Sequence, residues 1–375
     1  MPRMKFADIV SRVKDVSNVT SKDDLIKQGI QRGFDIATSR DLPYLDEEAF
    51  IKTIAPDSTG TVSVTAGSKT VTGSGTSWTS LNTEALLKIR VGGNNEYYRV
   101  ASIGGDTSIT LDMEYQGSTE SGASFSLYKD EYRLAPDADA IKIMRELENE
   151  TALVDIEPST FSILEPSPQT EGMPNFSIVS GSKLDTYTTG TVTGSANSAS
   201  LTGSSTAWEG VEGLGRGTRL TIGTNVYTVK SVDSDTAITL YEKLSSAASA
   251  DSYSVNLDNL IMQFYRIPDE AYPIRYKYQR LSFPLYNDED IPDMPDNWIH
   301  ILVTSGLVWA WATKDKEESK AQAVIFQALV NDFWARVASI SKNRIIPRRS
   351  QDIFFGYPNR MPRIGTDYGV PIKLI

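Results

Sequence analysis

Apolar residues recur with helical spacing at both ends of the chain. The first predicted helix has one apolar face, formed by Phe6, Ile9, Val10 and Val13. A second helix is predicted to begin at residues 21–24 and to end near residue 40. Towards the C-terminus, an apolar helix is predicted after Pro295 and an amphipathic one from about residue 315 to 340. A polar turn separates the last two helices, so we expect them to pack as an antiparallel pair.

Between the helices, polar and apolar residues alternate in short runs, which predicts β strands. Residues 60–78 nearly repeat at 190–208, and both copies end in Thr-x-Trp, at Trp78 and Trp208. The similarity continues from 98–111 to 227–240. Frequent turn residues indicate a small antiparallel barrel or sandwich, and the tryptophans are predicted to fill its core. The chain therefore contains two copies of one β module.

These elements predict an α+β multidomain fold. A helical-bundle body with a small antiparallel sheet is expected to carry two inserted all-β modules (barrel or sandwich) and an extended C-terminal arm. Within the body, strands at 259–266 and 272–280 are expected to pair as a hairpin. The predicted parts are the first helices (1–56), β module 1 (57–130), body strands and a loop (131–186), β module 2 (187–257), the hairpin and last two helices (258–341), and the arm (342–375).

The composition excludes several kinds of site. The 375 residues include no cysteine, which excludes disulfides, thiolate metal sites and a cysteine nucleophile. The single histidine, His300, lies among apolar residues and is interpreted as a core or interface residue. The longest apolar run, near 298–312, is too short and too polar to span a bilayer. We therefore expect no membrane association, no metal and no cofactor.

The charge is unevenly distributed along the chain. The net charge is −11, yet residues 342–375 contain seven basic and two acidic residues. The arm thus carries +5, which leaves −16 for the rest of the chain. An acidic body repels nucleic acid, whereas a basic arm suits an acidic partner or a phosphate backbone. Because the arm also keeps four aromatic residues, we expect it to dock on its own body or on a neighbouring molecule.

Candidate catalytic chemistry is sparse. The densest group of carboxylates, at 287–296, could bind Ca²⁺ or Mg²⁺ or act as a glycosidase pair. The residue spacing does not match an EF-hand, which favours a solvated acidic loop before a helix N-terminus. Glycine-rich runs at 73–76 and 213–217 lack the spacing of phosphate-binding loops and are interpreted as turns.

Several short motifs follow one another along the body: Asp-Leu-Pro-Tyr-Leu at 41–45, Tyr-Arg-Leu-Ala-Pro at 132–136, Gly-Met-Pro-Asn-Phe at 172–176, Pro-Asp-Glu-Ala-Tyr at 268–272, Tyr-Lys-Tyr-Gln at 276–279 and Asp-Ile-Pro-Asp-Met-Pro at 290–295. Their order resembles that in the adaptor, or head-to-tail connector, proteins of short-tailed bacteriophages. The resemblance covers the body outside the two modules and depends on the order of the motifs. The modules are similar to insertions in phage structural proteins, and the family implies no role for them.

The resemblance implies a structural virion protein rather than an enzyme. It also implies that copies of the chain, usually twelve, form a ring below the portal protein. This ring would join the capsid to the tail and leave a channel through which genomic DNA passes without specific binding. Tail nozzle or tail fibre proteins are further expected partners. The expected location is the neck of the virion, with assembly in the host cytoplasm.

The resemblance also implies which residues bind partners. The arm is expected to contact the portal or a neighbouring subunit through Arg344, Arg348, Arg349, Phe354, Phe355, Tyr357, Arg360 and Arg363. Close packing between subunits is expected at Gly29, Gly33 and Gly306.

Two other functions stay open on the sequence. The duplicated modules could bind carbohydrate or other tail components in a tail accessory protein. The acidic loop could instead serve a wall-degrading hydrolase through Asp290 and Asp293.

Overall fold

Strands dominate the protein. The computed structural model describes residues 4–19, 21–40, 42–81, 86–92, 96–157, 159–161, 170–312 and 314–342. Strands make up 39% of the structure and helices 24%. The predicted helical-bundle body with a small sheet is therefore wrong. The reason is that the segments between and after the modules, expected to be short strands and loops, form long strands that continue the sheet of module 2 or build a separate three-stranded sheet.

Four helices pack as one unit at the two ends of the described chain. They are α1 (Phe6–Ser17), α2 (Asp23–Ala37), α3 (His300–Ala312) and α4 (Lys316–Lys342). α3 lies at the centre and contacts the other three, which explains why it is apolar on all sides. None of the helices in the described ranges is long and apolar enough to cross a membrane.

Module 1 follows the first body strand. That strand, β1, spans Asp46–Lys52. The seven strands of module 1 pair in the order β7-β2-β3-β6-β5-β4-β8. They are β2 (Thr61–Val64), β3 (Thr70–Ser74), β4 (Lys88–Val91), β5 (Tyr98–Gly105), β6 (Ser108–Leu111), β7 (Glu120–Ala123) and β8 (Phe125–Tyr128).

Module 1 is a curved, partly closed sheet rather than a flat one, and its end strands β7 and β8 are joined by the chain without being paired. β5 pairs with β4 through its first residues and with β6 through its later ones, so one strand turns a corner between two half-sheets. Ser124 alone separates β7 from β8, so the chain also passes directly between the two ends of the strand order. Such closure protects the strand edges of a small all-β domain.

The chain between the modules is extended. Its strands are β9 (Glu131–Arg133), β10 (Ala138–Glu146), β11 (Val154–Asp155) and β12 (Phe176–Tyr187). Module 2 then contains β13 (Thr191–Gly194), β14 (Ser200–Ser204), β15 (Arg219–Ile222), β16 (Asn225–Ser234), β17 (Ala237–Leu240) and β18 (Ala248–Asp251).

The last two strands connect module 2 to the body. β19 (Tyr253–Tyr265) is both the final strand of module 2 and a body strand that pairs with β12 along its length, and we call this pair the ribbon. Module 2 has the order β18-β13-β14-β17-β16-β15-β19, which matches module 1 strand for strand. β20 (Pro273–Arg280) lies between β1 and β10 in a separate three-stranded sheet.

The predicted hairpin of residues 259–266 and 272–280 does not form. β20 uses its two edges for β1 and β10, while β19 uses its edges for β12 and for β9 and β15. The two strands instead face each other across a shared core that includes Phe264, Ile274 and Tyr276. Sequence alternation identified both strands, but alternation does not determine which edges pair.

The residues that the two modules share are structural. Trp78 and Trp208 are fully buried, as predicted. In each copy the first residue of a two-residue hairpin turn is an aspartate, Asp106 or Asp235. Its carboxylate accepts a backbone N–H at 3.0 Å, and its carbonyl accepts a threonine hydroxyl. These bonds fix the short 3₁₀ turn that begins at each tryptophan. The repeated motif therefore specifies the fold of the module.

The two tryptophans differ in one polar contact. Trp208 Nε1 donates to Tyr253 Oη at 2.9 Å, whereas Trp78 Nε1 has no partner among the described residues, because Phe125 occupies the equivalent position. We expect Phe125→Tyr to stabilise module 1 by about 1 kcal/mol by satisfying a buried donor. The reciprocal change Tyr253→Phe should cost module 2 about 1–3 kcal/mol. Hydrogen exchange resolved by module would measure both, and destabilisation by Phe125→Tyr would contradict this explanation.

Candidate functional site

Five consecutive residues at the end of module 1 are buried although four of them are charged. We call Lys129–Arg133 the junction segment, because it follows β8 directly, includes β9 and leads from module 1 into the body. Burying a charge is costly unless it is paired and hydrogen-bonded. Together the side chains of the segment contact module 1, module 2 and the ribbon.

The segment binds module 1 through two acidic side chains. Lys88 Nζ lies 2.8 Å from Asp130 Oδ1 and 2.9 Å from Glu131 Oε1. The Arg99 guanidinium donates two hydrogen bonds to Glu131, at 2.7 and 2.8 Å. Asp130 also accepts a hydrogen bond from Gln263 on β19 at 3.0 Å. One buried lysine therefore holds both carboxylates against the barrel.

The segment binds module 2 and the ribbon through two basic side chains. Lys129 pairs with Glu212, which also accepts the Arg133 backbone N–H at 2.8 Å. Among the described strands, none pairs with β19 on one edge between the parts that pair with β15 and β9. The Arg133 guanidinium fills this gap and donates to Leu257 O at 3.1 Å. It also contacts Lys183 O and Asp185 on β12.

A second group of charges connects module 2 to the three-stranded sheet and to the helices. Arg216 of module 2 pairs with Asp137 and with Glu47 on β1. Tyr278 donates to the same Asp137 at 3.0 Å. On β20, Arg280 pairs with Asp293 in the loop that leads to α3. The orientation of all parts is thus fixed by ion pairs in addition to the apolar cores.

The electrostatics of the junction favour the charged forms. Burial alone would raise the pKa of Glu131, but Lys88 and Arg99 lower it below its usual value. Burial would lower the pKa of Lys88, but Asp130 and Glu131 outweigh that effect and raise it. Similarly, Asp137 and Glu47 raise the pKa of Arg216 despite its burial. These groups are therefore paired ions at neutral pH.

The sequence-predicted glycines lie inside the helical unit of one chain. A Cβ atom at Gly33 would collide with Ser305, and one at Gly29 would lie 2.7 Å from Trp309. A Cβ atom at Gly306 would lie 2.7 Å from Val13. Ser305 Oγ donates to Gly29 O at 2.7 Å, so α2 and α3 are in close contact. The close approach that requires these glycines is within the chain.

The other predicted residues divide into two groups. The acidic loop is engaged in structural contacts: Asp290 Oδ2 accepts two backbone N–H groups, and Asp288 pairs with Lys27 at 2.6 Å. His300 is exposed rather than in the core, and its ring stacks on Trp298. The described part of the chain holds no group of three His, Cys, Asp or Glu that could bind a metal. Outside the described residues lie Arg344, Arg348, Arg349, Phe354, Phe355, Tyr357, Arg360 and Arg363.

Sequence reasoning missed the junction segment. Its residues, Lys-Asp-Glu-Tyr-Arg, have the composition of a solvated linker. Their partners are distant in sequence: Lys88 precedes Asp130 by 42 residues, and Glu212 follows Lys129 by 83. The available signal was the position of the segment at a module boundary, where two folded units must meet.

Comparison with models of known protein families finds no match, and comparison with curated proteins finds none either. The functional argument therefore depends on the chain itself.

Lys88→Met tests the junction. We expect it to destabilise the protein by about 3–5 kcal/mol, because buried Asp130 loses its cation and Glu131 keeps only Arg99. Urea unfolding would measure the change, with Lys243→Met at an exposed position as the matched control. Equal stability of the two variants would show that the buried pairs contribute nothing.

The pH dependence of stability tests Glu131. Because its pKa is lowered on folding, its stabilising effect is complete above the unfolded value of about 4.3 and is lost as pH falls through the folded value. We expect Glu131→Gln to be less stable than wild type at pH 7, and the difference to shrink below about pH 4. Unfolding measured from pH 7 to 3 would reveal this, and a difference independent of pH would refute it.

Proposed function

We propose that this protein is a structural connector of a tailed-phage virion, a ring-forming adaptor between the portal and the tail. The observation that carries the proposal is the junction segment. Its buried ion pairs hold two modules and the ribbon in one fixed arrangement, which suits a scaffold that must keep its geometry. The order of the body motifs, which resembles that of phage adaptor proteins, is the reason for proposing an adaptor as the kind of scaffold.

The distribution of charge supports the same proposal. Residues 1–341 carry −16, so a channel lined by this chain would let DNA pass without binding it. The arm at 342–375 carries +5 and suits an acidic surface on the portal or a neighbouring copy. On this proposal the protein assembles in the host cytoplasm and functions in the virion neck, where tail nozzle or fibre proteins are further partners.

The alternative functions have less support. Carbohydrate binding by a tail accessory protein would be expected to use residues common to both modules, but Trp78 and Trp208 are buried and Asp106 and Asp235 fix turns. For a hydrolase, Asp290 and Asp293 would need to be available, yet the first binds backbone N–H groups and the second pairs with Arg280.

Mass measurement of the full-length protein tests the connector proposal. We expect a ring of many copies, twelve on the adaptor resemblance, either alone or when a portal ring is added. Native mass spectrometry would give the copy number directly. A monomer under both conditions, together with absence from the neck in a map of the virion, would overturn the proposal.

A truncated chain that ends at Lys342 tests whether the arm attaches the protein to the portal. We expect it to keep the folded body, as judged by circular dichroism, but to lose attachment to the portal because the basic and aromatic residues are gone. Unchanged attachment would show that another surface binds the portal.

A further inference from the structure

The free edge of β1 lies along a groove. Two adjoining cavities of about 410 and 570 Å³ share Phe50, Arg133 and Glu212 in their walls. β1 lines them with four consecutive residues, 49–52. Neighbouring residues of a strand point to opposite faces, so a groove that contacts consecutive residues runs along the backbone edge. The groove therefore exposes main-chain groups of β1.

The hydrogen-bond pattern identifies which groups are exposed. Among the described strands, β1 pairs with β20 alone. Thr53 N donates to Tyr272 O at 3.1 Å, so by the antiparallel alternation Ala49 and Ile51 bond to β20. The N–H and C=O groups of Phe50 and Lys52 then point away from β20 into the groove.

The next residue in this outward row confirms the alternation. Ile54 N donates to Tyr132 Oη at 3.2 Å, and Tyr132 lines the groove. On the other edge of β20, Pro273 O accepts Leu147 N at 3.0 Å, as the same alternation requires. Phe50 and Lys52 thus form a short row of strand-edge groups open to an added strand.

The opposite wall of the groove is formed by the module 2 loop at 210–216. Its charges are largely compensated, because Lys129, Arg133 and Arg216 are paired with carboxylates that also line the groove. Lys52 and Lys230 are exposed and make no ion pair within the described ranges. The groove therefore has a positive excess. Phe50, which is 65% exposed, adds an apolar surface beside it.

We propose that this groove binds an extended acidic segment of a partner protein, which adds to β1 as a further strand. Main-chain bonds to Phe50 and Lys52 would provide the pairing, as in other cases of strand addition to a sheet edge. Acidic side chains of the segment contact Lys52 and Lys230, and an apolar side chain packs on Phe50. The basic arm of this chain carries the wrong charge for the groove. The proposal is independent of ring formation.

Peptide binding to the full-length protein tests the proposal. The probes are a fluorescent peptide of alternating glutamate and valine, its counterpart with lysine for glutamate, and a synthetic peptide of residues 343–375. We expect the acidic peptide to bind and to slow hydrogen exchange at Phe50 and Lys52. Failure of the acidic peptide to bind, equal binding of the lysine peptide, or preferential binding of the 343–375 peptide would each overturn the proposal.

Two substitutions separate the contributions of backbone and charge. Phe50→Pro removes an outward N–H and an apolar ring but leaves the bonds of Ala49 and Ile51 to β20, and we expect about tenfold weaker binding. Lys52→Glu leaves the backbone unchanged and should weaken binding about fivefold. Lys243→Glu makes the same charge change outside the groove and should have little effect. Equal affinities for Lys52→Glu and Lys243→Glu would overturn the charge argument even if Phe50→Pro does not fold.

Discussion

The rest of the structure depends on the double pairing of β19. This strand of thirteen residues has β12 on one edge and β15 and β9 on the other. It is therefore the last strand of module 2, half of the ribbon and the anchor of the junction segment. A strand has only two edges, so the choice of partners for β19 leaves β20 to form a separate sheet with β1 and β10. The Arg133 guanidinium occupies the one interruption in this pairing.

Buried ion pairs of the junction add specificity more than stability. Desolvation of Lys88, Asp130 and Glu131 offsets much of their attraction, so apolar residues of similar volume would stabilise the contact comparably. Paired charges penalise every alternative arrangement, because any shift leaves a buried ion without its partner. The apolar cores thus provide most of the folding free energy, and the charges determine how the parts are arranged.

Local sequence patterns predicted local structure well. The spacing of Phe6, Ile9, Val10 and Val13 identified α1, and the repeat around Trp78 and Trp208 identified two equivalent modules before any strand order was known. The predicted class of body was wrong because the lengths of β12 and β19 depend on pairing across the ribbon rather than on propensity. The junction escaped prediction for a related reason, since its charged residues resemble solvated ones until their distant partners are known. Likewise, the open edge of β1 can be recognised only once the pairing of β1 with β20 is known.

The positions where the chain enters and leaves each module have an evolutionary consequence. Module 1 begins and ends at a bridge in which Asp57 and Leu127 exchange two backbone hydrogen bonds of 2.8 Å, and module 2 begins and ends where Tyr187 pairs with Val255. In each case the entering and leaving chains lie one strand spacing apart. A tight turn could therefore join them directly in a chain that lacked the module. Gain or loss of a module by recombination therefore leaves the body's strand pairing intact. The junction charges would still have to change with it, because loss of module 1 removes Lys88 and Arg99 from Asp130 and Glu131.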